Sequence, residues 1–173
     1  MAKARMALAI FCVVLADCVM VFLVFYKAAG VSGKTLILKE AAIIPPMFSY
    51  RHAYHAGNHA DVLKHLCLVS LLDYLTQKDK AIYAIDTHAG IGLYPLRGHE
   101  AQTSGEAQGG VFALQDWAEG QKKADIAPAI ARYLQVLQAT GSPNTYPGSP
   151  WLMQHLLRTD TGAAVQDKLQ LFE

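Results

Sequence analysis

The spacing of apolar residues predicts one long amphipathic helix and two buried strands. Within residues 55–80, after a loop, apolar positions recur at helical spacing, at Val62, Leu63, Leu66, Val69, Leu72 and Leu75. Asn58 is a suitable N-cap for this helix, and Asp61 in its first turn favours the helix dipole. Short apolar runs over 81–86 and 168–173 predict strands, and each of these runs ends on an acid.

Weaker patterns predict shorter elements between the two strands. Residues 109–120 and 125–139 predict two short helices, and a third begins at 150. The segment 95–108 is polar and contains glycine, which predicts a surface loop, and the three prolines of 141–150 predict a rigid loop. Helices alternating with strands in this order favour an α/β fold, with a mostly parallel, open sheet covered by helices.

The apolar run at residues 6–26 allows three interpretations. It is long enough to cross a bilayer, although Asp17 in the middle of the span costs roughly 3 kcal/mol. Its basic start and apolar middle also fit a signal peptide. The third interpretation is that residues 1–46 are an extension outside the fold.

Charge and cysteine content narrow the class of protein. From Met47 onward the chain has ten basic and twelve acidic residues and no basic tail. If this part binds nucleic acid, it does so without a strong general electrostatic footprint. The three cysteines, Cys12, Cys18 and Cys67, form no CxxC pair, which fits a reducing compartment.

Residues 28–35, AAGVSGKT, imitate a phosphate-binding loop. Ala28 stands where glycine is usual, and Pro45 and Pro46 leave room for only a short helix after the loop. No other part of a nucleotide hydrolase is evident in the sequence. The pattern therefore disfavours a working phosphate loop.

The ends of the two predicted strands carry the candidate chemistry. In open α/β sheets, ligands bind beyond the carboxyl ends of the strands. Asp86 and Glu173 end the strands, and Gly90 and Gly92 allow backbone to approach a ligand closely. Pro95 stands where a dinucleotide fingerprint needs its third glycine, which disfavours nicotinamide or flavin. An adenosyl group without pyrophosphate fits better, which points to S-adenosyl-L-methionine; an α/β domain with no such site remains the alternative.

Several longer motifs resemble one enzyme family. MFSYRHAYHAGNHADVLKH, starting at Met47, is followed in order by DTHAGIGLY, YPGSP and the final LQLFE. Together they resemble the amino-terminal part of the RlmJ family of 23S rRNA adenine-N6 methyltransferases. The resemblance covers residues 47–173 and implies a class I, Rossmann-like methyltransferase fold with a helical insertion at about 95–145. It also implies that residues 1–46 precede the family's own start.

The resemblance assigns roles to particular residues. It implies cofactor contacts at His65, His88, Ser149 and Glu173, and a substrate-side role for Tyr50, whose ring would stack on an unstacked adenine. The family's catalytic Asp-Pro-Pro-Tyr motif does not occur in the 173 residues. We therefore expect no catalytic residue within this chain and no methyl transfer by these residues alone.

Each of these positions also has a structural alternative. His65 would otherwise be a helix-surface histidine, Ser149 a helix cap and Tyr50 a packing residue. Asp86 would otherwise cap its own turn, and Glu173 would be a frayed terminal residue. Two other functions stay open: a cofactor- or RNA-binding fragment without catalysis, and a membrane-anchored protein that uses residues 6–26.

Metal binding is disfavoured by the distribution of histidines. His52, His55, His59 and His65 are spread over a loop and a helix without a companion cysteine or acid at ligand spacing. The resemblance implies 23S rRNA as the partner, and the spread of the histidines predicts no metal site. We expect a cytoplasmic monomer, with membrane association only if residues 6–26 form an anchor.

Overall fold

The computed structural model describes residues 6–15, 18–27, 51–159, 162 and 164–172. The helices are α1 (His59–Thr76), α2 (His99–Ser104), α3 (Val111–Glu119), α4 (Pro128–Gln138) and α5 (Ser149–Leu156). The strands are β1 (Met6–Leu15), β2 (Cys18–Lys27), β3 (Ile82–Asp86), β4 (Leu93–Pro95), β5 (Thr145–Pro147) and β6 (Lys168–Leu171). The phosphate-loop imitation at residues 28–35 lies outside the described residues.

The main sheet has the strand order β1-β2-β3-β6. β3 and β6 are parallel, with register pairs from Tyr83↔Lys168 to Asp86↔Leu171. The crossover between β3 and β6 contains helices α2 to α5 and a small antiparallel ribbon formed by β4 and β5. The predicted α/β fold with parallel strands is confirmed, whereas the ribbon was not predicted.

Within the apolar run of residues 6–26, the described residues form two strands, β1 and β2, rather than one helix. β1 and β2 pair antiparallel, and β2 pairs antiparallel with β3 from Phe22↔Asp86 to Tyr26↔Ile82. Among the described residues, no helix has both the length and the apolar character needed to cross a membrane. The predicted division of the chain between residues 46 and 47 stays a prediction, although part of the first segment is paired with β3.

Helix α1 begins where its sequence predicts. The Asn58 side chain accepts a hydrogen bond from the Asp61 amide at 2.9 Å, so the predicted N-cap is confirmed. The buried face changes character along the helix, because it is polar at Asp61, Lys64 and His65 and then apolar from Leu68 onward. Leu63 is 45% exposed, since it points away from this face.

The hydrophobic core lies between the main sheet and helices α1, α4 and α5. Its members are buried aliphatic and aromatic side chains that include Leu68, Val69, Leu72, Ile82, Ala84, Tyr133, Val136, Leu152 and Met153. Fully burying one such side chain contributes roughly 1.5–3 kcal/mol. This packing holds α1 against α4 and α5, and α5 against β3 and β6. The start of α5 therefore lies at the carboxyl end of β3, where Ser149 contacts Asp86.

The region predicted as a surface loop at 95–108 is partly helical. It contains α2 and a 3₁₀ turn at Glu106–Gly109, which bury only the small side chains of Ala101 and Ala107. Two alanines leave no apolar periodicity, so the pattern gave no helical signal. The predicted helices at 109–120 and 125–139 are confirmed as α3 and α4 with shorter bounds.

Candidate functional site

The turn after β3 is organised by the buried carboxylate of Asp86. One oxygen accepts the backbone N–H of His88 at 3.1 Å, and the other accepts the hydroxyl of Ser149 at 2.6 Å. The first contact is the turn-capping role that the sequence allowed. The second joins the turn to the start of α5, since Ser149 is the first residue of that helix.

A positive φ and a close side-chain contact explain the glycine at position 90. Gly90 has a positive φ of 58°, and a Cβ there would lie 2.6 Å from the Tyr94 hydroxyl. That hydroxyl accepts the backbone N–H of Ile91 at 3.2 Å. A side chain at position 90 would therefore break the contact that closes the turn.

The loop before α1 is tied to Asp61, which is 2% exposed. The carboxylate accepts the backbone N–H of Gly57 at 3.1 Å and lies 3.0 Å from His52 Nε2. Burial raises the pKa of Asp61, but the hydrogen bond from His52 and the charges of His65, His52 and Lys64 together lower the pKa below its usual value. Asp61 is therefore ionised, and its carboxylate is the group to which the loop is hydrogen-bonded.

His65 is 2% exposed and stays neutral near physiological pH. Burial lowers the pKa of its imidazole from 6.5 to about 4, against the opposing charge of Asp61. Its Nδ1 lies 2.9 Å from the hydroxyl of Tyr146, and the two rings stack with centroids 5.4 Å apart. The helix-surface alternative for His65 is therefore wrong.

These elements surround one cavity of about 480 Å³. The loop before α1 contributes Arg51 and His52, and α1 itself contributes Lys64 and His65. The turn after β3 contributes His88 and Gly90, and the start of α5 contributes Ser149. Its size falls within the range of about 300–1,000 Å³ typical of small-molecule sites.

The structure brings three of the five predicted site residues together. His65, His88 and Ser149 line the same cavity, although they are separated by up to 84 positions in the sequence. Tyr50 and Glu173 lie outside the described residues. The contacts assigned to all five residues stay predictions.

Sequence reasoning did not single out Lys64, which lines the cavity. Its side chain is 4% exposed, and its Nζ lies 3.8 Å from Asp61 Oδ1, beyond hydrogen-bond distance. The signal was available, because Asp61, Lys64 and His65 occupy the same helix face as Leu68 and Leu72. Ionisable residues at core positions are rare unless they are paired or functional.

The histidines of the motif have separate partners. His52 contacts Asp61, His55 Nδ1 lies 2.9 Å from Glu106 Oε1, and His65 contacts Tyr146. Glu106 also accepts the side-chain amide of Asn58 at 2.9 Å. Within the part of the chain that the structure describes, no group of three His, Cys, Asp or Glu side chains is arranged to hold a metal ion.

Because of His65, we expect the free energy of unfolding to decrease as the pH is lowered. Below pH 6.5 the unfolded chain binds a proton at this histidine, whereas the folded chain binds one only near pH 4. The free energy of unfolding therefore decreases as pH falls through this window, by about 1.4 kcal/mol per unit and roughly 3 kcal/mol in all. Urea unfolding at pH 7 and pH 4.5 measures the change.

The matched control for this pH effect is an exposed histidine. His65→Gln removes the proton linkage and should flatten the pH dependence, whatever its effect on stability at pH 7. His99→Gln, at an exposed position, should keep the slope of the parent chain. Equal slopes in the parent chain and in His65→Gln would show that the buried imidazole is not the linked group.

Comparisons with known proteins identify relatives of this chain. The sequence model of the family described as "Ribosomal RNA large subunit methyltransferase D, RlmJ" matches residues 79–173. Ribosomal RNA large subunit methyltransferase J of Haemophilus influenzae is 37% identical over 125 residues, and that of Escherichia coli is 39% identical over 130 residues. These alignments cover 70% and 73% of this chain but 42% of each relative, so the chain spans about two-fifths of their length.

A solved structure supports the same relationship. The crystal structure of protein LPL1258 from Legionella pneumophila superposes with a TM-score of 0.54 at 33% sequence identity. The match covers 68% of this chain and 39% of that one. The fold and the sequence therefore point to the same group of proteins.

Proposed function

Because the chain belongs to the ribosomal RNA large subunit methyltransferase J family, we propose that its cavity binds S-adenosyl-L-methionine for methylation of 23S rRNA at an adenine N6. The observation that carries this proposal is the convergence of His65, His88 and Ser149 on one cavity beyond the carboxyl end of β3. Ligands of open α/β sheets bind at this end of the strands. The rRNA substrate would place the activity in the cytoplasm.

The charges of the cavity suit the carboxylate of the methionine portion. Among the described residues, Asp61 is the ion-pair partner of the buried Lys64 ammonium, and the 3.8 Å separation leaves its N–H donors available. A buried cation without full hydrogen bonding is costly, so an anionic ligand group beside it is favoured. His65 borders the same space and adds an imidazole nitrogen.

The adenosyl portion is proposed to lie on the β6 side of the turn after β3. The backbone N–H of Phe172 donates to Asp86 O at 2.9 Å, and that of Ala89 donates to Phe172 O at 2.9 Å. The end of β6 is therefore fastened to the turn after β3. This supports the proposal that Glu173, the next residue, accepts hydrogen bonds from the ribose hydroxyls.

The substrate side is proposed at the loop before α1. Arg51 is exposed and lines the cavity, so its guanidinium is available to an RNA phosphate. Tyr50 is its neighbour in the sequence, which supports the proposed stacking of that ring on a displaced adenine. The names of the relatives refer to large-subunit ribosomal RNA, which supports the choice of substrate class.

The proposed contribution of these residues to catalysis is binding and orientation. S-adenosyl-L-methionine, when bound, supplies an electrophilic methyl group on a sulfonium. Lys64, His88 and Ser149 would hold its position, and Tyr50 would hold the adenine amine in line with it. Positioning of this kind lowers the barrier by converting a bimolecular step into an effectively unimolecular one.

Calorimetric titration of the chain with S-adenosyl-L-methionine tests the proposal. We expect binding, and we expect His88→Ala to weaken it about tenfold, or about 1.4 kcal/mol, through loss of a direct contact. His88 is exposed, so its replacement should leave the fold intact. His99→Ala, at an exposed position outside the cavity lining, serves as the control. A folded chain that gives no binding heat, or equal affinity in both variants, would contradict the proposal.

A further inference from the structure

Three buried polar side chains form a continuous hydrogen-bonded chain that ends at the cavity. The Tyr133 hydroxyl on α4 lies 3.0 Å from the Tyr146 hydroxyl on β5, which lies 2.9 Å from His65 Nδ1. Tyr133, Tyr146 and His65 are 0%, 1% and 2% exposed. No sequence motif connects these residues, and the proposed function does not use either tyrosine.

The hydrogen that each hydroxyl carries determines which group donates and which accepts in these two hydrogen bonds. Burial raises the pKa of both tyrosines, so both stay protonated. Within the described residues, Tyr146 is the hydrogen-bond partner of the Tyr133 hydroxyl. A buried O–H without an acceptor is strongly disfavoured, so Tyr133 donates to Tyr146.

The hydrogen of the Tyr146 hydroxyl determines whether His65 Nδ1 donates or accepts. Because the Tyr146 oxygen accepts from Tyr133, its own O–H is directed to His65 Nδ1, which therefore acts as an acceptor. A neutral imidazole carries one proton, which leaves it on Nε2. Among the described residues Nε2 has no hydrogen-bond partner, and His65 lines the cavity. The charged or titratable groups around it are Asp61, His52 and Lys64.

We propose that Tyr133 and Tyr146 are positioning residues that hold His65 in its Nε2-protonated tautomer, so that the cavity presents an N–H donor to its ligand. Such a donor selects a ligand with an acceptor at this point. The identification of that acceptor as the carboxylate of S-adenosyl-L-methionine rests on the proposed function, whereas the tautomer does not.

Two-bond ¹H–¹⁵N correlation spectra of the ¹⁵N-labelled full chain at neutral pH report the tautomer directly. The signals of His65 are assigned by their loss in His65→Gln. We expect the pattern of an imidazole protonated at Nε2 and unprotonated at Nδ1. A dominant Nδ1-protonated pattern in the parent chain would overturn the proposal, and this measurement requires no variant of the tyrosines.

Two tyrosine variants test whether these hydrogen bonds hold the tautomer of His65. Tyr146→Phe removes the donor to His65 Nδ1, so the population protonated at Nδ1 should rise. Tyr133→Phe leaves His65 Nδ1 as the acceptor of the Tyr146 hydroxyl and removes only the group that orients this hydroxyl, so its effect should be smaller. Tyr74→Phe, at a 56% exposed tyrosine on α1, should leave it unchanged. An unchanged His65 pattern in a folded Tyr146→Phe chain would also overturn the proposal.

Binding measurements separate this proposal from the proposed function. We expect Tyr146→Phe to weaken S-adenosyl-L-methionine binding about three- to tenfold but to leave the affinity for its decarboxylated analogue unchanged. Equal weakening of both compounds would contradict the donor role of His65. If the parent chain shows the Nε2-protonated pattern but binds neither compound, the proposed function fails and the tautomer assignment stands.

Discussion

Replacing Arg158 with methionine is expected to lower the free energy of unfolding by about 3–5 kcal/mol, because it leaves a buried carboxylate without its cation. Asp167 is 4% exposed, and Arg158 donates to both of its oxygens, from Nη2 and from Nε, at 3.0 Å. Methionine keeps much of the side-chain volume. The loss is therefore assigned to charge and hydrogen bonding, and urea unfolding at pH 7 measures it.

The large effect follows from the place of Arg158 in the fold. Its guanidinium also donates to the backbone carbonyls of Thr76, Lys78 and Lys80 at 3.1, 2.8 and 2.9 Å. Asp167 in turn accepts the backbone N–H of Ile82 at 2.8 Å. The pair thus joins the end of α1 to the starts of β3 and β6, the two strands whose tips border the site.

A second arginine on the surface is the control. Arg132 donates from Nε to Asp73 at 2.8 Å, with side chains 39% and 30% exposed. Exposed pairs of this kind contribute about 0–1 kcal/mol, so Arg132→Met should have a small effect. Similar losses in both variants would show that burial of Asp167 does not determine the cost.

Replacing Gly110 with alanine is expected to destabilise the chain by about 3–5 kcal/mol and to abolish cofactor binding at the proposed site. A Cβ at this position would lie 2.0 Å from Gly57 O and 2.5 Å from Asn58 C. Both atoms belong to backbone, which cannot move aside as a side chain does. The ψ angle of −107° also lies outside the regions that other residues favour.

The functional effect would come through the loop before α1. Gly57 donates its N–H to Asp61, which holds His52 beside the cavity, and its carbonyl accepts the N–H of Val111. Displacing Gly57 therefore displaces the support of the site. Unfolding curves and the calorimetric titration described above measure the two consequences.

The neighbouring glycine provides a matched control for Gly110. A Cβ at Gly109 would meet nothing within 4 Å, so Gly109→Ala should change stability by only a few tenths of a kcal/mol. A Gly110→Ala chain that unfolds at the same urea concentration as Gly109→Ala would contradict the predicted clash.

Much of the site could be predicted from the sequence because its signals are local. The cap at Asn58 and the apolar spacing of α1 lie within 20 residues, and the strand that ends at Asp86 leads directly into its glycine turn. Each signal depends on neighbours along the chain, so it can be read without knowledge of the fold. The motifs around His65, His88 and Ser149 then indicated residues that the structure places at one cavity.

Other features depend on contacts between residues far apart in the chain. Asp86 and Ser149 are 63 positions apart, and Tyr146 lies 81 positions from His65. Single polar contacts of this kind leave no periodic pattern in the sequence. The apolar run before residue 28 left several interpretations open for a related reason, because a long apolar segment suits a helix or paired strands equally and only its pairing with β3 decides.

By itself the sequence determined which segments become α1, β3 and β6, and which family motifs they carry, because local propensity and spacing specify these elements. Only the tertiary structure decided that Lys64 and His65 are buried beside Asp61, and that Asp86 binds Ser149 rather than solvent. The physical reason is that burial and hydrogen-bond partners depend on which surfaces meet after the chain has packed.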